Sequence, residues 1–384
     1  MNTNRDRRPI WAALLFLMLA ALAPIAVPAA GEGRLDWLLK DYAARYKLPA
    51  LAAAVVQGGN IVASGAVGQR RADLDAGERD NAVTLSDRFH LGSDTKAMTA
   101  LMAGIMTEKK WLRWDSTVAE VFPELVPTMD DGVGTITLEQ LLSHSGGIPG
   151  DSEAQWALVR ALDDQDGNLD DLRYMLVQGL VRQPLQSPPG KKFAYSNMGY
   201  TLAGAMLERV TRDRKVPASW EELISLWVFD GLGLKTAGLG PQASLGRLDA
   251  PLGHRPRPLD GKPKVMLPGP RGDNPELIGP AGTAHMSVLD FAAWAGWNAG
   301  EGRRGPKLAS AETLIKLHTP VIDIPPDMKL PAGARYALGW GVIKPGFSDE
   351  PFLFHAGSNG MNSAQIYVQP KSDFAMVLMT NRGG

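Results

Sequence analysis

Phe89-His90-Leu91-Gly92-Ser93-Asp94-Thr95-Lys96 heads an apolar segment in which Met98, Leu101, Met102 and Ile105 recur at helical spacing. Ser93 and Lys96 therefore lie one turn apart on the same face of a helix. A serine hydroxyl is a poor nucleophile until a neighbouring base removes its proton, and a lysine serves as that base only if its ammonium form is destabilised. Burial does this, and so does the positive end of a helix dipole, where Lys96 falls. Taken alone, a Ser-x-x-Lys is weak evidence, because first-turn lysines are usually solvated.

Two further groups strengthen the reading. Tyr195-Ser196-Asn197 follows a Pro188-Pro189-Gly190 turn and precedes an apolar run from Met198 to Met206, which sets the tripeptide at a loop or helix entrance. A tyrosine held near cations can act as a base, although an isolated Tyr-x-Asn is more commonly a packed ring. His355-Ala356-Gly357-Ser358 closes a strand from Phe352 to Ala356, and its glycine lets a ligand approach the backbone edge. The Ser358 N–H, with that of Ser93, can form an oxyanion hole. A lone histidine at a strand end is ordinarily just a hydrogen-bonded surface residue.

Outward from these groups the pattern is α+β. Leu35, Leu38, Leu39, Tyr42 and Tyr46 mark a helix ending before Pro49. Ala52 to Val56 and Ile61 to Val67 read as a hairpin across Gln57-Gly58-Gly59-Asn60. At the other end, Tyr336 to Ile343, Phe352 to Ala356, Ala364 to Val368 and Phe374 to Thr380 read as strands, and the two clusters most economically share one antiparallel sheet. The middle is mainly helical. Thr137 and Gln140 form a capping box, and a further helix starts at Ser287 with Asp290 reaching back. Nine prolines between Pro241 and Pro280 mark an irregular connection.

The chain has 384 residues, 45% hydrophobic and 21% charged, enough for one large core or two closely packed subdomains. Forty basic residues nearly balance 41 acidic ones, so there is no basic surface for nucleic acid. The absence of cysteine excludes disulfides, a thiol nucleophile and thiolate metal sites. Arg5, Arg7 and Arg8 precede an apolar run from Ile10 to Ala23, then Pro24, Pro28, Ala29 and Ala30, which reads as a signal peptide over residues 1–30. The run is shorter than the roughly 20 residues a spanning helix needs. The expected location is the periplasm or the medium, with membrane contact only if the segment is uncleaved.

The three groups occur in the order and relative positions of the serine β-lactamase, penicillin-binding protein and D-aminopeptidase superfamily, which the chain resembles from about Leu35 to its last residue. Leu141-Leu142-Ser143-His144-Ser145-Gly146-Gly147, Gly279-Pro280-Ala281-Gly282 and Tyr336-Ala337-Leu338-Gly339-Trp340-Gly341 add to the resemblance. It implies a β-lactamase/transpeptidase-like fold: an antiparallel sheet flanked by helices, with sheet parts at about 31–90 and 281–384 and a mostly helical subdomain at about 91–280, together one domain over 31–384. It also implies Ser93 as the acylated serine, Lys96 as its base and Tyr195 as a partner in proton transfer. Asn197, His355, Gly357 and Ser358 are then substrate-binding, with no cofactor and no metal.

Two positions depart from the family pattern. His355 stands where most β-lactamases have a lysine, whose fixed charge suits a substrate carboxylate; histidine is similar to D-aminopeptidases and esterases. Family members also continue into a C-terminal helix, whereas this sequence stops at Asn381-Arg382-Gly383-Gly384, which leaves either a truncated sequence or a bare apolar sheet face. The implied activity is hydrolysis of an ester, a D-residue peptide or a β-lactam. A penicillin-recognising sensor or a silent binding protein is the alternative. An α/β-hydrolase reading of Ala356-Gly357-Ser358-Asn359-Gly360 fails because all six histidines precede Ser358, and no His-x-His or His-Glu-x-x-His pair supports a zinc hydrolase.

Overall fold

The computed structural model describes residues 33–383, apart from 76, 79, 151, 215–217 and 270–271. The signal-peptide reading over 1–30 lies outside the described residues. Among them a nine-stranded sheet runs in the order Gly33–Arg34, Asn60–Gly68, Ala50–Gln57, Phe374–Thr380, Ser363–Gln369, Phe352–Ser358, Gly341–Ile343, Arg335–Tyr336 and Ile322–Asp323. The two ends of the chain meet where Leu378 pairs with Ala53 and Phe374 with Gln57. The Ala50–Gln57 and Asn60–Gly68 hairpin closes through Gly58 (φ 57°) and Gly59 (φ 81°), two left-handed positions that match strand twist and that glycine adopts without strain.

The sheet is antiparallel as expected, except at one edge, where the two-residue strand Gly33–Arg34 pairs parallel with Ala63–Ser64. One expectation about it is corrected. The run from Tyr336 to Ile343 is not one strand. It breaks at Gly339 (φ 81°), where an added Cβ would sit 2.7 Å from Ala97 Cα, so the backbone folds inward against the helix that follows Ser93. Strands Arg335–Tyr336 and Gly341–Ile343 pair with each other across this turn.

Helix Val288–Gly300 covers one face of the sheet, with Phe291, Trp294 and Ala295 in the main core beside Ala52, Ala54, Val56 and Val377. Ser287 caps it by accepting from Asp290 N, but the Asp290 carboxylate does not reach back. It accepts from Thr236 N and Oγ1 at 2.6 and 2.5 Å, tying the helix start to a distant turn instead. Helix Asp36–Tyr46 lies on the other face, where Leu39 and Tyr42 cluster with Leu51, Ala53, Met376 and Leu378. A bare apolar face is not found there, since Met376 and Leu378 retain 1% and 3% exposure.

The middle of the chain is helical, as read. Helix Thr95–Glu108 is buried on every side from Thr95 to Met106 and packs against Asn197–Asp213, Ala311–His318 and Gly279–Gly282. A helix enclosed in this way holds its first turn rigidly. The Thr137 and Gln140 capping box starts helix Leu138–Leu142, and the proline-rich connection holds the short hairpin Gly253–Pro256 and Pro263–Met266 and, near its end, a 3-10 turn at Glu276–Ile278. Arg173, fully buried, binds Glu208, Glu221 and the Leu277 carbonyl, pinning helix Leu169–Leu180 to its neighbours.

Candidate active site

The nucleophile turn is fixed by its backbone. Gly92 takes φ +52°, and a Cβ there would lie 2.3 Å from Ser358 N, so glycine is needed both for the conformation and for the close approach. Gly92 N donates to His90 Nδ1 at 3.0 Å. Thr95 Oγ1 donates to Gly92 O at 2.7 Å and accepts from Ala284 N at 3.1 Å. The turn then enters the enclosed helix, leaving Ser93 half-buried at its N-terminal end.

The second wall is the end of strand Phe352–Ser358. A Cβ on Gly357 would fall 1.8 Å from Leu91 O and 2.8 Å from Ser93 N, so this strand presses directly on the nucleophile turn. The Ser358 and Ser93 amides are thereby brought to the same place. The Ser358 hydroxyl is engaged elsewhere, donating to Asn362 O at 2.6 Å and accepting from Gly360 N, which leaves its backbone N–H as the group suited to a ligand.

Lys96 is fully buried. Its Nζ donates to Ser93 Oγ at 3.1 Å, to Asn197 Oδ1 at 2.8 Å and to the Ala281 carbonyl at 2.8 Å. The amine also sits over the faces of Tyr195 and Tyr200, 4.8 and 5.4 Å from the ring centroids. These three acceptors are a hydroxyl, a side-chain amide oxygen and a backbone carbonyl. Ser196 caps helix Asn197–Asp213 by accepting from Gly199 N, which directs Asn197, the first residue of that helix, toward the lysine.

Ser93, Lys96, Tyr195, Asn197, His355, Gly357 and Ser358 are thus gathered around the nucleophile turn. Four residues not singled out from the sequence join them. Asp94 is fully buried beneath the turn; burial raises its pKa, and the nearby His355 and Lys96 act in the opposite direction. His355 Nδ1 faces Asp94 Oδ1 at 3.5 Å and Ala356 O at 3.2 Å, two acceptors, so Nδ1 carries the proton. His355 Nε2 then accepts from the Tyr336 hydroxyl at 2.9 Å. That hydroxyl keeps its proton because burial, reinforced by Tyr200 and Tyr195, raises its pKa well above the usual phenol value.

His144 packs against Tyr195 at 4.2 Å between ring centroids, the rings tilted by 36°, and also touches Phe193, Tyr200 and Tyr336. Burial, then the proximity of Lys96 and His355, lowers its pKa well below the ordinary imidazole value, so it packs as a neutral ring. Its Nδ1 accepts from Ser196 N at 3.1 Å, which ties the Tyr195 segment to the 141–147 loop. His144 sits at φ +57°, uncommon for a residue with a Cβ. Asp94, His144 and Tyr336 all lie inside quoted motifs, but nothing in their spacing marks them; Tyr200 reads as one more apolar helix position.

A mixed sheet of terminal strands, an intervening helical region and a Ser-x-x-Lys helix start define a β-lactamase/transpeptidase-like fold. The Beta-lactamase family profile matches residues 35–384, and the chain belongs to that family. A curated relative, penicillin-binding protein 4 of Amycolatopsis lactamdurans, is 27% identical over 307 residues, covering 79% of this chain and 74% of that protein. The chain spans 63–74% of the length of the first curated relatives it matches. Among solved structures, EstCE1, a hydrolase with promiscuous acyltransferase activity, aligns with TM-score 0.72 at 17% identity over 90% of this chain and 92% of that one. A D-stereospecific amidohydrolase from Streptomyces sp. aligns with TM-score 0.68 at 20% identity over 89% and 92%. At these identities the structural likeness establishes the fold.

Proposed function

We propose that the protein is an exported serine hydrolase that works through an acyl-enzyme on an ester or amide substrate. The observation that carries this reading is the buried Lys96 amine 3.1 Å from Ser93 Oγ, with Asn197 Oδ1 and the Ala281 carbonyl oxygen each 2.8 Å from the same nitrogen. A neutral amine that gives its two hydrogens to those oxygens has its lone pair left for the Ser93 hydroxyl proton, which is the arrangement a general base requires.

Ser93 Oγ attacks the substrate carbonyl carbon while Lys96, with Tyr195, takes the hydroxyl proton and delivers it to the leaving oxygen or nitrogen. The Ser93 and Ser358 amides stabilise the oxyanion. Water, deprotonated by the same pair, then attacks the acyl-enzyme and frees Ser93. Gly357 keeps the strand close to the turn, and Asn197 orients the lysine. A small-molecule or peptide substrate fits this chemistry, and the hydrolase, amidohydrolase and penicillin-binding names among the similar proteins lie within it. Export rests on the Arg5 to Ala30 sequence pattern.

The test is turnover of a small aryl ester by the wild-type protein and by Ser93→Ala. The reading expects hydrolysis that falls by at least about a thousandfold in the variant; equal hydrolysis by both would remove Ser93 from the mechanism.

A further inference from the structure

One pocket beside the site bears on which substrates can enter. Phe193, Ile324, Met328, Leu330 and Phe354 line a cavity of about 120 Å3 that also reaches Tyr195 and His355. Its walls come from the segment leading into helix Asn197–Asp213, from the turn around Pro326–Met328 and from strand Phe352–Ser358. Among the described residues, no lysine, arginine, aspartate or glutamate lines it. Lys192, Lys329 and Arg335, each next in sequence to a lining residue, are exposed and do not line it. An apolar cavity of about 150 Å3 accepts benzene, so this one suits a group of roughly that size or smaller.

We infer that this pocket binds an uncharged apolar group, no larger than about a phenyl ring, on the leaving side of the substrate. The inference rests on the acyl-enzyme reading above, because the side is set by Tyr195. The residue that delivers the proton faces the leaving atom, and Tyr195 is part of the pocket wall, so whatever hangs on the leaving oxygen or nitrogen lies against these apolar side chains. A carboxylate placed there would be desolvated without a paired cation. His355 is the one titratable imidazole it would meet, and that ring is already committed to Tyr336, Ala356 O and Asp94.

The experiment compares acetate esters that share an acyl group: ethyl, butyl, benzyl and 4-carboxybenzyl acetate. The two benzyl alcohols leave with nearly equal ease, so their ratio reports the pocket. The pocket reading expects kcat/KM to rise about fourfold per methylene from ethyl to butyl and to be at least about tenfold higher for benzyl than for 4-carboxybenzyl acetate. Met328→Lys, at a half-exposed position on the rim, narrows that benzyl preference at least about tenfold. Equal kcat/KM for the two benzyl esters, or an unchanged ratio in Met328→Lys, overturns the inference while leaving the hydrolase reading intact. No hydrolysis of any of the four esters by a protein that turns over the aryl ester overturns this inference alone; no turnover of the aryl ester either overturns the acyl-enzyme reading and this inference with it.

Discussion

Asn197 Oδ1 accepts a 2.8 Å hydrogen bond from Lys96 Nζ, so the amine facing Ser93 is held by a neutral side chain 101 residues further along the chain. That neutrality has a testable consequence. Asn197→Asp would put a carboxylate against the same amine and stabilise its ammonium form. The acid limb of the pH–rate profile should move up by about one pH unit or more, with reduced kcat at neutral pH. A lower kcat with an unmoved profile would mean that Asn197 acts only by packing.

Gly357 leaves no room for a side chain, since its Cβ would lie 1.8 Å from Leu91 O. Gly357→Ala should push the strand off the nucleophile turn, lowering stability by about 1–3 kcal/mol and ester hydrolysis by at least about a hundredfold. Thermal melting and kcat/KM check this together. Wild-type activity in a folded variant would show that the Ser93 and Ser358 amides need not be so close.

His355 occupies a buried position between Tyr336 and Asp94. His355→Lys would place a permanent cation beside the buried Asp94 carboxyl and the apolar pocket. Acylation by benzylpenicillin should accelerate at least about tenfold, while hydrolysis of neutral esters falls as Tyr336 loses its imidazole partner. Penicillin acylation rates followed by intact mass decide it; no acceleration would mean that this position does not read substrate charge.

Burial, partly countered by Arg173 and reinforced by Glu221, raises the Glu208 pKa to about 7. A carboxyl with a raised folded pKa keeps its proton where the unfolded chain has lost it. Its contribution to stability is therefore complete below the ordinary carboxyl value, declines as pH rises toward 7, and is lost above. The window corresponds to an effect on the order of 3 kcal/mol. Glu208→Gln should flatten the fall in melting temperature between pH 5 and pH 8 relative to wild type. An equally steep fall in the variant would assign the dependence to other groups.

Much of this architecture is legible in the sequence. The apolar runs at both chain ends locate the paired strands, and the Gly58 and Gly59 turn locates the hairpin, because these are local signals. Ser93, Lys96, Tyr195 and Asn197 are legible through motif order, and the structure gathers them around the Lys96 amine. What the sequence hides is set by long-range packing. Gly339 reads as an ordinary strand glycine until the Thr95–Glu108 helix is in place beside it. Asp290 has the spacing of a capping box, yet Thr236, distant in sequence, claims its carboxylate. Asp94 sits inside the most informative motif of the chain, but its tie to His355 exists only once strand and turn meet. The apolar pocket likewise draws on three separated segments.

The central claim is that Ser93, activated by Lys96, forms an acyl-enzyme that water then clears. Its most direct test is intact-mass and turnover analysis with an aryl ester and a fluorescent penicillin, for the wild type, Ser93→Ala and Lys96→Ala. The mechanism requires ester turnover with a transient acyl mass on Ser93 in the wild type, and neither in the two variants. A stable penicillin adduct on Ser93 with negligible turnover of any ester would contradict it and identify a sensor or binding protein built on the same fold.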